Sequence, residues 1–242
     1  MLNDNIIYDG HCHLDSVAGV DNSQRLALAA ISEDDWLKLV KLRAANSLYK
    51  VGFGLHPWYV VSLDDDDKIE QFALRLENAI KQYQPDFLGE TGLDWLKPNV
   101  ELQTKILHIH LKLAQKYNLP VVMHCVKAYS PLLHGISLYP VKGLLHGFNA
   151  NSQIAQQLWH KNIMLGIGSL ILQNNSQLNK SAIGIPLEQI IIETDAPYMP
   201  PANQLISTPQ NCLIYAQKLA QLKQKNLDEI IIKVNQNWLE LF

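Results

Sequence analysis

Short apolar runs recur along the chain, and stretches with helical spacing separate most of them. That alternation restricts the fold more than any other feature of the sequence. The runs are Ile6–Tyr8, RLALAAIS from Arg25, LYKVGFGLHP from Leu48, DFLGETGLD from Asp86, LPVVMHCV from Leu119, VKGLLHGF from Val141, IMLGIGS from Ile163 and QIIIETDAP from Gln189. Helical spacing covers Ser32 to about Asn46, Ile69–Tyr83, about Asn99–Asn118, Ser152–His160, 209–222 and 226–242. Strands alternating with helices predict a parallel (β/α)8 barrel, and 242 residues is an ordinary length for one such domain spanning 1–242. The span from Asp15 to Arg25 is too short for a crossover helix, so the first connecting helix is expected to be missing or reduced to a turn.

In a parallel barrel the active site is built at the C-terminal ends of the strands, so what each run ends on matters. The first runs into DGHCHLD, where His11 and His13 stand one residue apart. On extended backbone two such side chains leave the same face, with Cys12 on the other, and form a chelating pair. Later runs deliver Glu90, His124, His146 and Asp195. Six nitrogen and carboxylate donors gathered from five strand ends suit zinc, manganese or another first-row divalent ion. Glu90 is the candidate bridging acid, and Asp195 the candidate ligand and general base. His56 ends the third run and is not needed as a ligand. Asp9, Asp15, Asp94 and Glu193 are expected to orient imidazoles.

Other polar clusters read as structural. Asp64–Asp67 is a solvated helix start, with acids at the positive end of the helix dipole. His108 and His110 repeat the spacing of His11 and His13, but on a helix the two side chains diverge by about 200°, so packing or surface roles are expected. His134 and His160 lie away from strand ends. The segment YMPPANQLISTP is expected to be a loop over the site.

With a net charge of -3 and a pI near 6.3, the protein has no global basic field, so an anionic substrate must be held by local groups or by metal. Neither a signal peptide nor a membrane span is expected, which predicts a cytoplasmic protein with no membrane partner and no obligate protein partner. Three widely spaced cysteines, Cys12, Cys125 and Cys212, fit reduced thiols.

DGHCHLD, GLHP, GETGLD, PVVMHC, LLHGF and IIIETDAPYMP together resemble, in order and spacing, the TatD family of metal-dependent hydrolases, over almost the whole chain. The resemblance implies a distorted (β/α)8 barrel, a two-metal site and DNase activity on phosphodiester bonds. It implies that His11, His13, Glu90 and Asp195 hold one divalent ion (Mg, Mn or Zn) and that Glu90, His124 and His146 hold the other. It also places His56 near the substrate, where it would contact phosphate.

The sequence departs from the family pattern in two places. After His124 the family commonly has Ser or Thr, Arg and Asp, where this chain has Cys125, Val126 and Lys127; Lys127 restores a positive charge one residue later and is expected to serve substrate affinity. Ile206, Ser207, Thr208 and Pro209 replace a customary Arg-Asn-Glu-Pro. Two other readings compete with a nuclease. One is an amidohydrolase acting on a cyclic amide or lactone, although many such sites are bridged by a carboxylated lysine where this chain has Glu90. The other is a weakly active metal-binding barrel that serves as a binding protein.

Overall fold

The computed structural model describes residues 6–16 and 19–242, and in it seven of the eight apolar runs hold a strand while the first strand begins just after Ile6–Tyr8; the eight, β1 to β8, are parallel and hydrogen-bonded in chain order. They are β1 (Asp9–Cys12), β2 (Leu26–Ala29), β3 (Tyr49–Phe53), β4 (Phe87–Asp94), β5 (Val121–Val126), β6 (Gly143–Leu145), β7 (Ile163–Ile167) and β8 (Ile190–Ile192). The helices are α1 (Glu33–Ala45), α2 (Asp66–Tyr83), α3 (Val100–Tyr117), α4 (Tyr129–Leu138), α5 (Ser152–Trp159), the short α6 (Gln177–Ser181), α7 (Cys212–Lys223) and α8 (Leu227–Leu241). Between β1 and β2 the described residues hold only a 3-10 turn, Leu14–Ser16, as the short span requires; residues 17 and 18 lie outside the described set. None of the helices among the described residues is long and apolar enough to cross a membrane.

The barrel closes above the last rung of β8. Cys12 bridges Ala196, the His13 N–H donates to the Ala196 carbonyl at 2.8 Å, and the Asp195 N–H donates to the His11 carbonyl at 2.9 Å. The seam that completes the sheet is thus the segment that carries three of the expected site residues.

Alternation along the strands sorts apolar side chains into two layers. Ala27, Ala29, Phe87, Val122, Leu144 and Ile191 form one cluster with Trp238 and Leu241 of α8, while Leu26, Leu28, Leu88, Val121, Met123, Leu145, Ile190 and Ile192 join the larger cluster built with the other helices. Trp238 is fully buried, and its indole N–H donates to the Asp9 carbonyl at 3.0 Å, tying α8 to the start of β1. Gly52 makes room for a large neighbour: a Cβ there would lie 1.9 Å from the Phe87 ring.

Two helices depart from a simple apolar stripe. On α1 the spacing of Trp36, Leu37, Val40 and Leu42 offers an apolar face, yet Leu37 is 52% exposed and Trp36 and Leu39 are the buried residues. Helix α4 has no counterpart in the periodicity, because Pro131 and Gly135 interrupt it. Pro131 sits in the first turn, where the missing N–H costs nothing, and Gly135 lies where a Cβ would come within 3.3 Å of His108 and Leu111 on α3. The Asp64–Asp67 run is a helix start as expected, with the Asp65 carboxylate capping the Lys68 N–H at 2.7 Å.

Candidate metal centre

Glu90, on β4, lies at the middle of the cluster and is almost fully buried. Its two oxygens face different partners. Oε2 is 3.3 Å from His11 Nε2 and 3.4 Å from His13 Nε2, while Oε1 is 2.8 Å from His146 Nε2, 3.1 Å from His124 Nδ1 and 3.2 Å from His56 Nε2. Asp195 Oδ1 completes the first group, 3.0 Å from His13 Nε2 and 3.4 Å from His11 Nε2. All six residues expected as ligands therefore meet, and His56 meets them too. Three overlapping sets have donor atoms close enough to share a cation: His11, His13 and Asp195; His11, Glu90 and His146; and His56, Glu90 and His124.

Different elements aim these groups. His11 is in β1 and His124 in β5, whereas His13, His56, His146 and Asp195 follow the ends of β1, β3, β6 and β8. Strand β8 ends at Ile192, and Asp195 has a left-handed backbone with φ of 56°, so a turn rather than the strand's alternation directs its carboxylate. Gly92, two residues after Glu90, has φ of 148°, and a Cβ there would lie 2.0 Å from the His124 carbonyl oxygen. Bare backbone at this point lets β4 and β5 approach beside the two donors.

Hydrogen bonds to the second ring nitrogen assign the tautomers. His13 Nδ1 lies 3.2 Å from the Ala29 carbonyl oxygen, which can only accept, so Nδ1 carries a hydrogen and Nε2 is the atom that faces Asp195 Oδ1 at 3.0 Å and Glu90 Oε2 at 3.4 Å. A positive charge, a proton on Nε2 or a metal ion, is what lets this ring face two carboxylates. His56 is the reverse: its Nδ1 accepts the Trp58 N–H at 3.2 Å, which leaves the hydrogen on Nε2, directed at Glu90 Oε1. His56 thus presents a donor to the centre.

Electrostatics and unpartnered atoms also fit a cation. Burial acts to raise the Glu90 and Asp195 carboxyls, but the surrounding imidazoles hold both below the usual carboxylate range, so both are anions. Burial acts to lower His11, yet the charges of Glu90 and Asp195 pull its pKa well above the ordinary value; the cluster attracts a positive charge to that position. Burial pushes His146 down to about 4 and keeps its ring neutral. Among the described residues, His11 Nδ1 and Nε2, His124 Nε2 and His146 Nδ1 are buried and meet no hydrogen-bond partner. Metal bonds of about 2.0–2.1 Å place neighbouring ligand atoms roughly 3.0–3.4 Å apart, and the contacts among these donors run from 2.8 to 3.4 Å.

The acids expected to orient imidazoles behave differently from one another. Asp94 Oδ2 lies 3.9 Å from His124 Nε2 and accepts the Trp58 indole N–H at 2.7 Å, so it does face a ring. Asp9 instead accepts the backbone N–H groups of His11 and Thr194 and the Thr194 hydroxyl, and Glu193 accepts the Gly147 N–H at 3.1 Å. They fix backbone rather than rings. Burial raises Asp9 to about 7 and Glu193 to about 8. Asp15 is exposed.

At the periphery, Lys127 is exposed just beyond β5 with φ of 56°. The segment 206–209 serves the fold: Ser207 is buried and its hydroxyl donates to the Thr194 carbonyl at 3.4 Å, while the Asn211 side chain accepts the Thr208 N–H at 2.8 Å ahead of α7. Strand-end patterns do not single out the aromatic rings at the mouth. Trp58 packs edge-on to His56 with centroids 5.2 Å apart, and Tyr198 lies edge-on to His13 at 5.4 Å. The signal for Tyr198 was its place in the loop expected to cover the site, and for Trp58 its place directly after His56 and Pro57.

A parallel eight-stranded barrel that gathers imidazoles and carboxylates at its C-terminal face belongs to the class of metal-dependent hydrolase barrels. Within that class the chain belongs to the TatD-related DNase family, whose model matches residues 8–242. It is 28% identical over 255 residues to YjjV of Escherichia coli, named an uncharacterized metal-dependent hydrolase, with 97% of this chain and 96% of the relative covered. It is also 28% identical over 261 residues to the Homo sapiens protein named deoxyribonuclease TATDN3, covering 98% of this chain and 94% of the human one. The crystal structure of the Escherichia coli TatD homologue YjjV superposes with a TM-score of 0.87 at 24% identity, over 99% of this chain and 98% of that one.

Proposed function

We propose that this metal-dependent hydrolase is a deoxyribonuclease that cleaves phosphodiester bonds with two divalent ions. The supporting observation is the division of Glu90: one oxygen faces His11 and His13, the other His124 and His146. His11, His13, Glu90 and Asp195 would hold one ion, and Glu90, His124 and His146 the other. When bound, paired divalent ions acidify water and neutralise charge on a phosphoryl group during in-line displacement.

The remaining steps fall to the chain itself. Asp195 is anionic at neutral pH, and one of its oxygens can accept the proton of the attacking water. His56 Nε2–H is a donor beside Glu90 Oε1 and can hold a phosphoryl oxygen. Lys127 adds an exposed positive charge that serves substrate affinity, in a protein whose net charge of -3 offers no general attraction for nucleic acid. The relative named a deoxyribonuclease supports DNA as the substrate.

The direct test is digestion of single-stranded and duplex DNA with Mg2+, Mn2+ or Zn2+, before and after chelation, with bound metal counted by mass spectrometry. Metal-dependent cleavage with two ions per chain is the expected result. Efficient hydrolysis of a cyclic amide or lactone, with no attack on any phosphodiester, would overturn it.

A further inference from the structure

Five aromatic side chains among the described residues are exposed, and four of them stand on connections that follow barrel strands: Trp58 and Tyr59 after β3, Trp95 after β4 and Tyr198 after β8. Three of these four touch the rings of the metal centre. Trp58 and Tyr59 lie 5.2 and 6.2 Å from the His56 ring, and Tyr198 lies 5.4 Å from His13. His56 and His13 contact opposite oxygens of Glu90, so the aromatic rings flank the carboxylate from its two sides.

We infer that Trp58 and Tyr59 on one wall and Tyr198 on the other are stacking platforms for the nucleobases next to the scissile phosphodiester, an inference that rests on the phosphodiesterase reading of the same centre. The rings are large, about half exposed (52%, 45% and 50%) and held in place, as a platform must be. The Trp58 indole is fixed by its bond to Asp94, and the Tyr198 N–H donates to the Asp195 carbonyl at 2.8 Å.

Two cations among the described residues stand close to these connections. Lys97 lies over the Trp58 ring at 4.4 Å and can exchange that contact for a phosphate, and Lys127 is exposed beyond β5. With little charge to grip a backbone, affinity must come from another source, and stacking supplies it wherever bases are unpaired. A duplex keeps its bases stacked on one another, so the platforms act on nucleotides released from pairing.

The test compares an unpaired oligothymidylate with an abasic oligomer of the same length, on the whole protein and on Trp58→Ala, Tyr198→Ala, Trp58→Phe and Tyr198→Phe. Binding is read by tryptophan fluorescence in chelator, and KM against kcat is read with metal. Oligothymidylate should quench the fluorescence and bind about tenfold or more tightly than the abasic strand. Each alanine change should narrow that gap severalfold by raising Kd and KM for the base-bearing strand, and each phenylalanine change should restore it. Tyr198 is exposed on a loop, so its variants give a result even if loss of the Asp94 partner unfolds Trp58→Ala. Equal binding of the two oligomers, or a gap that persists in the alanine variants, overturns the inference. Base-dependent quenching without hydrolysis of any phosphodiester overturns the nuclease reading and leaves the platforms standing. Hydrolysis indifferent to bases does the reverse.

Discussion

Two pairs of histidines share one spacing and have opposite fates. His11 and His13, at the end of β1, keep their rings 4.8 Å apart and both reach Glu90 and Asp195. His108 and His110, on α3, part company. His108 packs 5.7 Å from Tyr139 beside α4, while His110 turns into the core, where Nδ1 lies 2.8 Å from the Ile106 carbonyl and 3.2 Å from the Thr91 hydroxyl. His11 and His110 are both fully buried, yet burial drives His110 down to about 4, while at His11 two carboxylates reverse the same penalty. Backbone geometry decides whether a pair of imidazoles can act together, and the charge opposite them decides whether they attract a cation.

The largest expected effect is at the carboxylate that the first pair faces. Asp195→Asn removes a proton acceptor and an anionic donor, and kcat for DNA should fall by about a hundredfold or more in metal-saturated steady-state assays. A smaller loss would remove Asp195 from the role of base. Next, His13→Ala and His110→Ala should separate cleanly. Losing His13 should weaken metal binding by more than the roughly 10–100-fold typical for an outer partner, with little change in the urea midpoint. Losing His110 should leave metal content intact and cost about 2–3 kcal/mol of stability. If His110→Ala emptied the centre, the contrast between the pairs would collapse.

The third prediction is a pH dependence. His110 is buried neutral, with a folded pKa of about 4 against an ordinary 6.5. The unfolded chain therefore binds the proton first, so the stability from this residue is complete above about pH 6.5 and is lost as pH falls toward 4, up to about 3 kcal/mol. Urea midpoints measured across that window should decline less steeply in His110→Gln than in the parent. The smallest effect belongs to the rim: Lys127→Ala should raise KM for DNA a fewfold with kcat nearly unchanged, and a fall in kcat instead would place Lys127 in the transition state.

Much of this was determined by the sequence alone. Period-two and helical patterns place the strands and most helices, the short Asp15–Arg25 span forbids a full first helix, and the histidines and acids at strand ends converge because a parallel barrel brings those ends to one face. Tertiary packing decided the rest. Helix α4 forms because α3 offers Gly135 a close seat, which no pattern within 129–138 reveals. Asp9 serves backbone N–H groups because the seam between β1 and β8 needs its own hydrogen bonds satisfied, and Glu193 does the same for the Gly147 N–H just after β6. The donor role of His56 depends on a backbone N–H two residues ahead, and the aromatic rings of Trp58 and Tyr198 reach the centre only when the connections after β3 and β8 fold over it. Periodicity reports which face of its own element a side chain leaves from; what it meets there is settled by other elements far away in the chain.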